Sequence, residues 1–300
     1  MEVQVEVEEH CLVVDPRRMK IPRLPNGKSL KIATEHGIVG GTIWPAASAL
    51  CEFLAEQKSL LSYKDNLDCL ELGSGTGVVG IFAAGLGFRT ILTEHKPPVT
   101  SVIPSVPYNA DGSFDFGLVG DEDTQIPRKS DRLLRLLQEN VDRNRHIFYD
   151  TTNNGLPKVM ELDWTGLKHA EKVASASESS DGFDLVLGSD ITYASEIHEN
   201  LADTIARLLR RRPCSNTATS ADGLFPSRCI VAHQERVLNL RGQDMQLLSF
   251  ERAIREAGLE KYRTQQRLLQ DTAGKQFNVS ILELRHRSSM FDSEGGCLYR

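Results

Sequence analysis

Three glycines at alternate positions separate an apolar segment from a second apolar segment. The run LDCLELGSGTGVVGIFAAGLG (residues 67–87) has the pattern of a strand, a turn containing Gly73, Gly75 and Gly77, and a helix. Glycines let backbone turn sharply and approach a ligand closely, and the following helix presents its N-terminus to that ligand. The segment therefore predicts a cofactor-binding loop. Because residues 75–80 also satisfy the dinucleotide pattern, the glycines alone do not separate NAD from S-adenosylmethionine.

Acidic residues lie at or near the ends of the neighbouring predicted strands. The next strand ends in ILTEH, which places Glu94 at the carboxyl edge of the sheet, beside the glycine-rich loop. A carboxylate there can accept hydrogen bonds from both hydroxyls of a ribose, although an ordinary strand-end acid is the alternative. Two further acids have weaker claims. Glu71, inside the first strand, could lie near the amino group of a ligand, and Asp163 precedes Trp164 in ELDWTG.

A second pair of chemically useful residues follows a later buried strand. The run FDLVLGSDITYASE (residues 183–196) places Asp190 and Tyr193 in a polar loop at the same edge of the sheet. A carboxylate can hold and orient a cationic or amine acceptor, while a phenol ring packs against the apolar stem of that acceptor. The pair therefore favours an amine substrate. Capping of the following helix by these polar residues is the competing interpretation.

Strands and helices alternate along the chain, and this order predicts the frame that positions the loops. Predicted strands cover residues 67–72, 90–93, 159–162, 183–188, 229–232, 262–269 and 277–284. Predicted helices begin at Pro45 and cover residues 78–86, 132–144, 197–210 and 244–257. Alternation of this kind implies right-handed βαβ units with helices on both faces of a sheet. We predict a doubly wound, mostly parallel seven-stranded α/β sheet of Rossmann-like type, with one antiparallel strand because no helix separates the last two.

The domain organisation predicted from composition is a single domain over residues 1–300. Hydrophobic residues make up 40% and charged residues 25% of the chain, which is ordinary for a folded protein. We predict an N-terminal extension with short strands over residues 1–40, a surface insertion over 97–129 and a flexible loop over 213–227. The two later stretches lack helical or strand periodicity.

Charge and cysteine usage narrow the classes of function. A net charge of -6 gives no general attraction to nucleic acid, and the short basic run at residues 210–212 is interpreted as the solvated end of a helix. Neither a metal-ligand spacing of His and Cys nor a Cys-x-x-Cys pair occurs among the six cysteines. The N-terminus lacks the apolar block of a secretory signal, and no apolar run of ~18 residues is present. We expect a protein of the cytoplasm or nucleus that binds neither metal nor membrane.

Taken together, four segments resemble a known family. GTIWPAASALCEFL, LELGSGTGVVGIFAA, ELDWTG and FDLVLGSDITYASE occur in the order found in the family 16 (methyltransferase-like 21) protein-lysine methyltransferases. The resemblance spans residue 36 to about residue 240, and the Asp-x-x-Tyr motif, here Asp190 to Tyr193, is characteristic of that group. It implies a class I, seven-β-strand methyltransferase that uses S-adenosyl-L-methionine to modify a lysine in a protein.

The resemblance also implies roles for individual residues. Asp190 and Tyr193 correspond to the catalytic motif. Cofactor contacts carry over to Trp44, Gly73, Ser74, Gly75, Glu94, Trp164 and Ser189. Members of the family modify chaperones, elongation factors and other ATP-dependent machines, and relatives modify calmodulin or a histidine.

The chain differs from the family pattern in two places, and three alternative functions remain open at this point. The family usually has Asp where this chain has Glu94, and the insertion beginning at Pro97 replaces a short turn, so substrate identity does not carry over. A nucleic-acid methyltransferase is one alternative, but amino-methylating enzymes of that class typically show Asn/Asp-Pro-Pro-Tyr where this chain has Asp-Ile-Thr-Tyr. A protein-histidine methyltransferase and a non-catalytic cofactor-binding scaffold are the others.

Overall fold

The computed structural model describes residues 19–35, 38–62, 67–95, 129–148, 155–178, 180–211, 226–236 and 238–287. Within these ranges seven strands form one sheet in the order β3-β2-β1-β4-β5-β7-β6. The strands are β1 (Asp68–Leu72), β2 (Arg89–Glu94), β3 (Lys158–Glu161), β4 (Leu185–Ser189), β5 (Arg228–Gln234), β6 (Leu259–Gln270) and β7 (Gln276–His286). The sheet contains every strand that the sequence predicted, in the predicted order along the chain.

Strand direction confirms the predicted mixed sheet. Strands β1 to β5 pair in parallel, whereas β7 runs antiparallel to both of its neighbours, β5 and β6. All five residues of β1 are buried, as expected for a central parallel strand covered on both faces. The edge strand β6 is mostly exposed and carries several charged residues, which discourage pairing with another chain.

Helices cover both faces of the sheet. They are α1 (Pro45–Glu56), α2 (Lys58–Leu61), α3 (Val78–Leu86), α4 (Lys129–Arg143), α5 (Arg145–Phe148), α6 (Leu167–Ala174), α7 (His198–Leu208) and α8 (Met245–Glu256). One apolar core lies under α1, α3, α4 and α5, and a second lies under α6, α7 and α8. Large side chains such as Phe53 and Phe250 are fully buried, and each contributes about 1.5–3 kcal/mol by leaving water. The fold is therefore doubly wound, as predicted.

Helix α6 was not predicted from the sequence. The helix has only eight residues, of which Ala170 and Val173 are buried, so it is shorter than the roughly 11–18 residues over which helical periodicity can be recognised. Most other boundaries differ from the predicted ones by one to three residues, which is usual for helix and strand ends.

The interpretation of residues 210–212 as a solvated helix end is wrong for Arg210. Helix α7 ends at Leu208, and Arg210 is only 7% exposed. Its guanidinium binds Asp184 and Asp181, each at 2.6 Å, and Asp68 at 3.0 Å. Because Asp68 is the first residue of β1 and Asp184 precedes β4, this charge network links the amino ends of these two strands. It lies at the opposite edge from the glycine-rich loop.

Several predicted features lie outside the described residues. They are the short strands near the N-terminus, residues 97–128 of the insertion and residues 213–225 of the flexible loop. The described part of the N-terminal extension contributes Met19, Ile21, Leu24 and Leu30 to the core beside α3. In the described ranges, no helix is both long and apolar enough to cross a membrane.

Candidate functional site

The loops that the sequence singled out meet at one edge of the sheet. Strand β1 lies between β2 and β4, and these three strands run in the same direction. Their carboxyl ends therefore lie side by side, where ligands of open α/β sheets bind. The glycine-rich loop is also tied directly to β2, because the Ser74 amide donates a hydrogen bond to the Thr93 carbonyl oxygen at 2.9 Å.

The glycine-rich loop depends on a left-handed backbone at Gly75, where φ is +53°. A Cβ at this position would lie 2.5 Å from the carbonyl oxygen of Gly40. The sequence indicated glycine here for close approach to a ligand, which stays a prediction, and the structure adds a second reason. Glycine is required because the segment before α1 packs directly on the loop.

Glu94 reaches the glycine-rich loop, as the sequence predicted. Its Oε2 accepts a hydrogen bond from the Gly75 amide at 2.7 Å, and its Oε1 accepts one from the His95 amide at 2.8 Å. Burial raises the pKa of this carboxyl, and the two amide hydrogen bonds oppose that rise. The longer arm of Glu relative to Asp is thus accommodated, with the carboxylate held at the loop by two backbone donors.

Glu71 faces helix α3 rather than open solvent. The side chain is 1% exposed, and its Oε2 accepts a hydrogen bond from the Gly80 amide at 3.0 Å. Burial raises its pKa from 4.5 to about 8. The contacts therefore show a carboxyl that joins β1 to the first turn of α3, and the role suggested for it near a ligand's amino group stays a prediction.

The other predicted cofactor residues lie around the same edge. Trp44 immediately precedes α1, and its indole N–H donates to the Val39 carbonyl oxygen at 3.0 Å. The ring of Trp164 is partly buried beside Gly73, with Cζ2 3.5 Å from the position of a Cβ on that glycine. Ser189 is the last residue of β4 and is paired with Ala232 of β5.

Asp190 has an unusual backbone and a specific partner. Its φ is +57°, a conformation that Asp and Asn adopt more readily than most residues, and its amide donates to the Ala232 carbonyl oxygen at 2.8 Å. Both carboxylate oxygens accept hydrogen bonds from the guanidinium of Arg236, one of them at 2.7 Å. Helix α7 and the short 3₁₀ turn before it have no side-chain cap. The interpretation of Asp190 as a helix cap is therefore wrong.

Tyr193 lies in the same loop and is 53% exposed. Partial burial raises the pKa of its phenol, and the carboxylates of Glu94, Asp190 and Glu196 raise it further. The hydroxyl therefore stays protonated at neutral pH. Tyr193 can donate or accept a hydrogen bond at the mouth of the site, but it is unsuited to act as a base.

A polar network that the sequence did not reveal holds the backbone of Arg236, the partner of Asp190. The Thr192 hydroxyl lies 2.7 Å from His233 Nδ1, and His233 Nε2 lies 3.2 Å from Asp244 Oδ1. The second oxygen of Asp244 accepts a hydrogen bond from the Arg236 amide at 2.8 Å. The signal for this network was the polar run AHQER, which leaves β5 at the same edge of the sheet.

The helices on one face of the sheet border a cavity that is separate from the candidate site. A cavity of about 610 Å³ lies between α6, α7 and the end of α8, and its lining includes Leu167, Asp203 and Arg207. None of the predicted site residues lines it. The position of the site follows from the strand ends and their side chains.

Comparison with known families identifies the chain. A profile of the lysine methyltransferase family matches residues 25–111 and 126–221, which is more than half of the 300 residues. The chain belongs to the lysine methyltransferase family. The ranges that match the family include every predicted site residue from Trp44 to Tyr193, whereas Arg236 lies beyond them.

Individual relatives of this family agree with that assignment. The mouse protein named protein-lysine methyltransferase METTL21E is 27% identical over 184 residues, 61% of this chain and 57% of that protein. The Xenopus tropicalis protein named EEF1A lysine methyltransferase 3 is 29% identical over 185 residues, 61% of this chain and 59% of that protein. The chain thus spans little more than half the length of these curated relatives.

Among solved structures, magnesium protoporphyrin IX methyltransferase from Synechocystis PCC 6803 aligns over 81% of this chain and 82% of its own, with 14% identity and a TM-score of 0.42.

Proposed function

We propose that this protein is an S-adenosylmethionine-dependent protein-lysine N-methyltransferase. The observation that carries the proposal is the meeting of the glycine-rich loop, Glu94 and the Asp190–Tyr193 loop at one sheet edge, in a chain of the lysine methyltransferase family. A dinucleotide would explain the glycines, but it would leave the Asp-x-x-Tyr loop without a role.

The described residues fit the cofactor. Each oxygen of Glu94 accepts one backbone hydrogen bond and keeps a second lone pair, which can accept a ribose hydroxyl. The bare backbone at Gly73 faces the partly buried ring of Trp164, which can pack against a flat base. We propose that the cofactor is held by Trp44, Gly73, Ser74, Gly75, Glu94, Trp164 and Ser189. When bound, S-adenosylmethionine supplies an electrophilic methyl group.

On the acceptor side, Asp190 and Tyr193 orient the amine. Transfer needs an uncharged nitrogen held close to the methyl group, and it needs little covalent help from the protein. Free lysine has a pKa of about 10.4, so its ammonium must lose a proton to water before it reacts. The carboxylate of Asp190 can accept a hydrogen bond from the amine, and the ring of Tyr193 can line the path of the lysine stem.

We propose that the acceptor is a lysine of another protein, such as a chaperone, an elongation factor or another ATP-dependent machine. The names of two relatives support a protein acceptor, namely EEF1A lysine methyltransferase 3 and the Arabidopsis thaliana calmodulin-lysine N-methyltransferase, which is 27% identical over 174 residues. The net charge of -6 also argues against a nucleic-acid acceptor. We further propose a location in the cytoplasm or nucleus. The free, buried thiols of Cys51, Cys69 and Cys229 suit a reducing compartment.

The experiment that tests this function uses tritiated S-adenosylmethionine and a whole-cell extract. Parallel samples are treated with nuclease or with protease after labelling, and a sample without the enzyme gives the background. We expect label that survives nuclease and is lost to protease. Label lost to nuclease would assign the activity to nucleic acid, and an absence of label above background would remove the proposed activity.

A further inference from the structure

The carboxylate of Asp190 does not face the acceptor site as an isolated negative charge. The Arg236 guanidinium binds both oxygens of Asp190, and the Asp190 side chain is 5% exposed whereas that of Arg236 is 30% exposed. The pair is therefore close to neutral as a unit. Each carboxylate oxygen still keeps a lone pair for an incoming N–H group.

Arg236 is held in place by contacts other than the ion pair. Its Nη1 donates to the Gln234 carbonyl oxygen at 3.1 Å, and its amide donates to Asp244 at 2.8 Å. The guanidinium carbon also lies 5.6 Å from the centre of the Trp44 ring, within the range of a cation–π contact. The positive charge thus has a fixed position, between Asp190 and a residue predicted to contact the cofactor.

The charges around this loop would otherwise favour the wrong form of the acceptor. The carboxylates of Glu94, Asp190 and Glu196 all raise the pKa of the Tyr193 phenol, so their negative charges act at the mouth of the site. Negative charges near a lysine stabilise its ammonium form, which cannot accept a methyl group. The Asp244 carboxylate accepts a hydrogen bond from the Arg236 amide and lies 3.2 Å from His233 Nε2, so His233 and Asp244 pair with each other. The positive charge of the Arg236 guanidinium, which is bound to Asp190, opposes this stabilisation of the ammonium form.

Resting on the proposed function, we propose that Arg236 is a positioning residue that aims the Asp190 carboxylate and disfavours the ammonium form of the acceptor lysine. The proton that leaves the lysine passes to water, and the neutral amine then meets a carboxylate whose charge is already balanced. Asp190 is in this way free to orient the amine without stabilising its protonated form.

The test measures the rate of tritium transfer to protein between pH 6.5 and 9.5. The substrate is the most heavily labelled protein band of a nuclease-treated extract. Three variants are measured beside the wild type: Arg236→Gln, Arg236→Lys and, as the matched control, Arg241→Gln. Arg241 is exposed and lies in the same loop, so its replacement makes the same change in charge. Melting temperature and S-adenosylmethionine affinity are measured on each preparation.

We expect Arg236→Gln to be at least tenfold slower than the wild type at pH 7, and the deficit to shrink to less than threefold at pH 9.5, where solvent removes the proton. Arg236→Lys should keep most of the activity and the wild-type pH profile, and Arg241→Gln should match the wild type. An equal deficit at every pH, or a faster Arg236→Gln enzyme at pH 7, would overturn the proposal. If Arg236→Gln does not fold, the Arg236→Lys variant decides. A pH–rate profile of Arg236→Lys that is displaced to higher pH would also overturn the proposal. Absence of label with the wild type would instead count against the proposed function.

Discussion

The side-chain amide of Asn140 donates a hydrogen bond to the carbonyl oxygen of Thr76 at 2.9 Å, so helix α4 is tied directly to the glycine-rich loop. The same side chain bonds to both backbone polar groups of Ala33. We expect Asn140→Ala to lose about 1–3 kcal/mol of stability, because buried backbone groups lose their partner. We also expect the variant to bind S-adenosylmethionine at least tenfold more weakly by isothermal titration.

Asn144 provides the matched control for that prediction. It is buried on the same helix and bonds to both backbone groups of Lys31 and to the Asn140 carbonyl oxygen, with no contact to the glycine-rich loop among its hydrogen bonds. Asn144→Ala should therefore lose a comparable amount of stability and keep its cofactor affinity. Equal affinity losses in the two variants would show that α4 acts through general stability alone.

The raised pKa of Glu71 predicts a stability that depends on pH. Burial raises this pKa from 4.5 to about 8, so between these values the folded chain keeps a proton that the unfolded chain has released. Stability from this group is present below about pH 4.5 and is lost as the pH rises toward 8, by up to about 1.4 kcal/mol per pH unit. Glu71→Gln lacks this loss and keeps an acceptor for the Gly80 amide.

Urea unfolding of the wild type and Glu71→Gln at pH 5.5, 6.5 and 7.5 measures this effect. The stability of the variant relative to the wild type should increase with pH. The exposed Glu171→Gln serves as the control and should give a difference that does not change with pH. A pH-independent difference for Glu71→Gln as well would show that the carboxyl is ionised throughout this range.

Gly75 offers a test of the contact between the glycine-rich loop and the segment before α1. Gly75→Ala places a methyl group 2.5 Å from the Gly40 carbonyl oxygen and forces a left-handed backbone on alanine. Gly258→Ala carries a similar φ of +79° but meets no atom within 4 Å. We expect Gly258→Ala to lose about 1–2 kcal/mol from backbone strain. Gly75→Ala should lose more, because the Gly40 backbone must also shift, and only this variant should lose cofactor affinity. Retained affinity in a folded Gly75→Ala protein would argue against this position for the cofactor.

Asp190→Asn tests the acceptor side of the site. Asparagine tolerates the left-handed backbone at this position, so the substitution removes the charge without adding strain. Turnover should fall by ~100-fold, equivalent to about 2.7 kcal/mol of transition-state stabilisation, while cofactor affinity changes little. Tyr193→Phe tests the hydroxyl separately, and Glu199→Gln, at an exposed position in the first turn of α7, is the charge control. Full activity at normal melting temperature in Asp190→Asn would exclude the residue from the mechanism.

The sequence was sufficient to predict the sheet and the strand-end positions of the site. Buried parallel strands such as β4 are mostly apolar runs, and the carboxyl ends of neighbouring parallel strands necessarily meet, so Gly75 and Glu94 could be placed together before any contact was known. Helix α6 escaped prediction because its eight residues are fewer than the roughly 11–18 over which helical periodicity can be recognised.

The long-range partners could not be predicted in the same way. Arg236 meets Asp190 across 46 positions of sequence, and Asn140 meets Thr76 across 64. Nothing in the local pattern around an arginine or an asparagine specifies which distant polar group it will bond to. Arg210 shows the same limit, because its basic run resembles a solvated surface, and only the fold brings Asp68 and Asp184, at the starts of β1 and β4, to its side chain.

The most direct test of the account is the chemical identity of the methylated residue. Protein labelled by this enzyme with tritiated S-adenosylmethionine is hydrolysed in acid, and the amino acids are separated beside methylated standards. We predict that the label co-migrates with methyl-lysines and that the Asp190→Asn variant loses most of this labelling. Label in methylhistidine, or in no amino acid at all, would contradict the assignment of this chain as a protein-lysine methyltransferase.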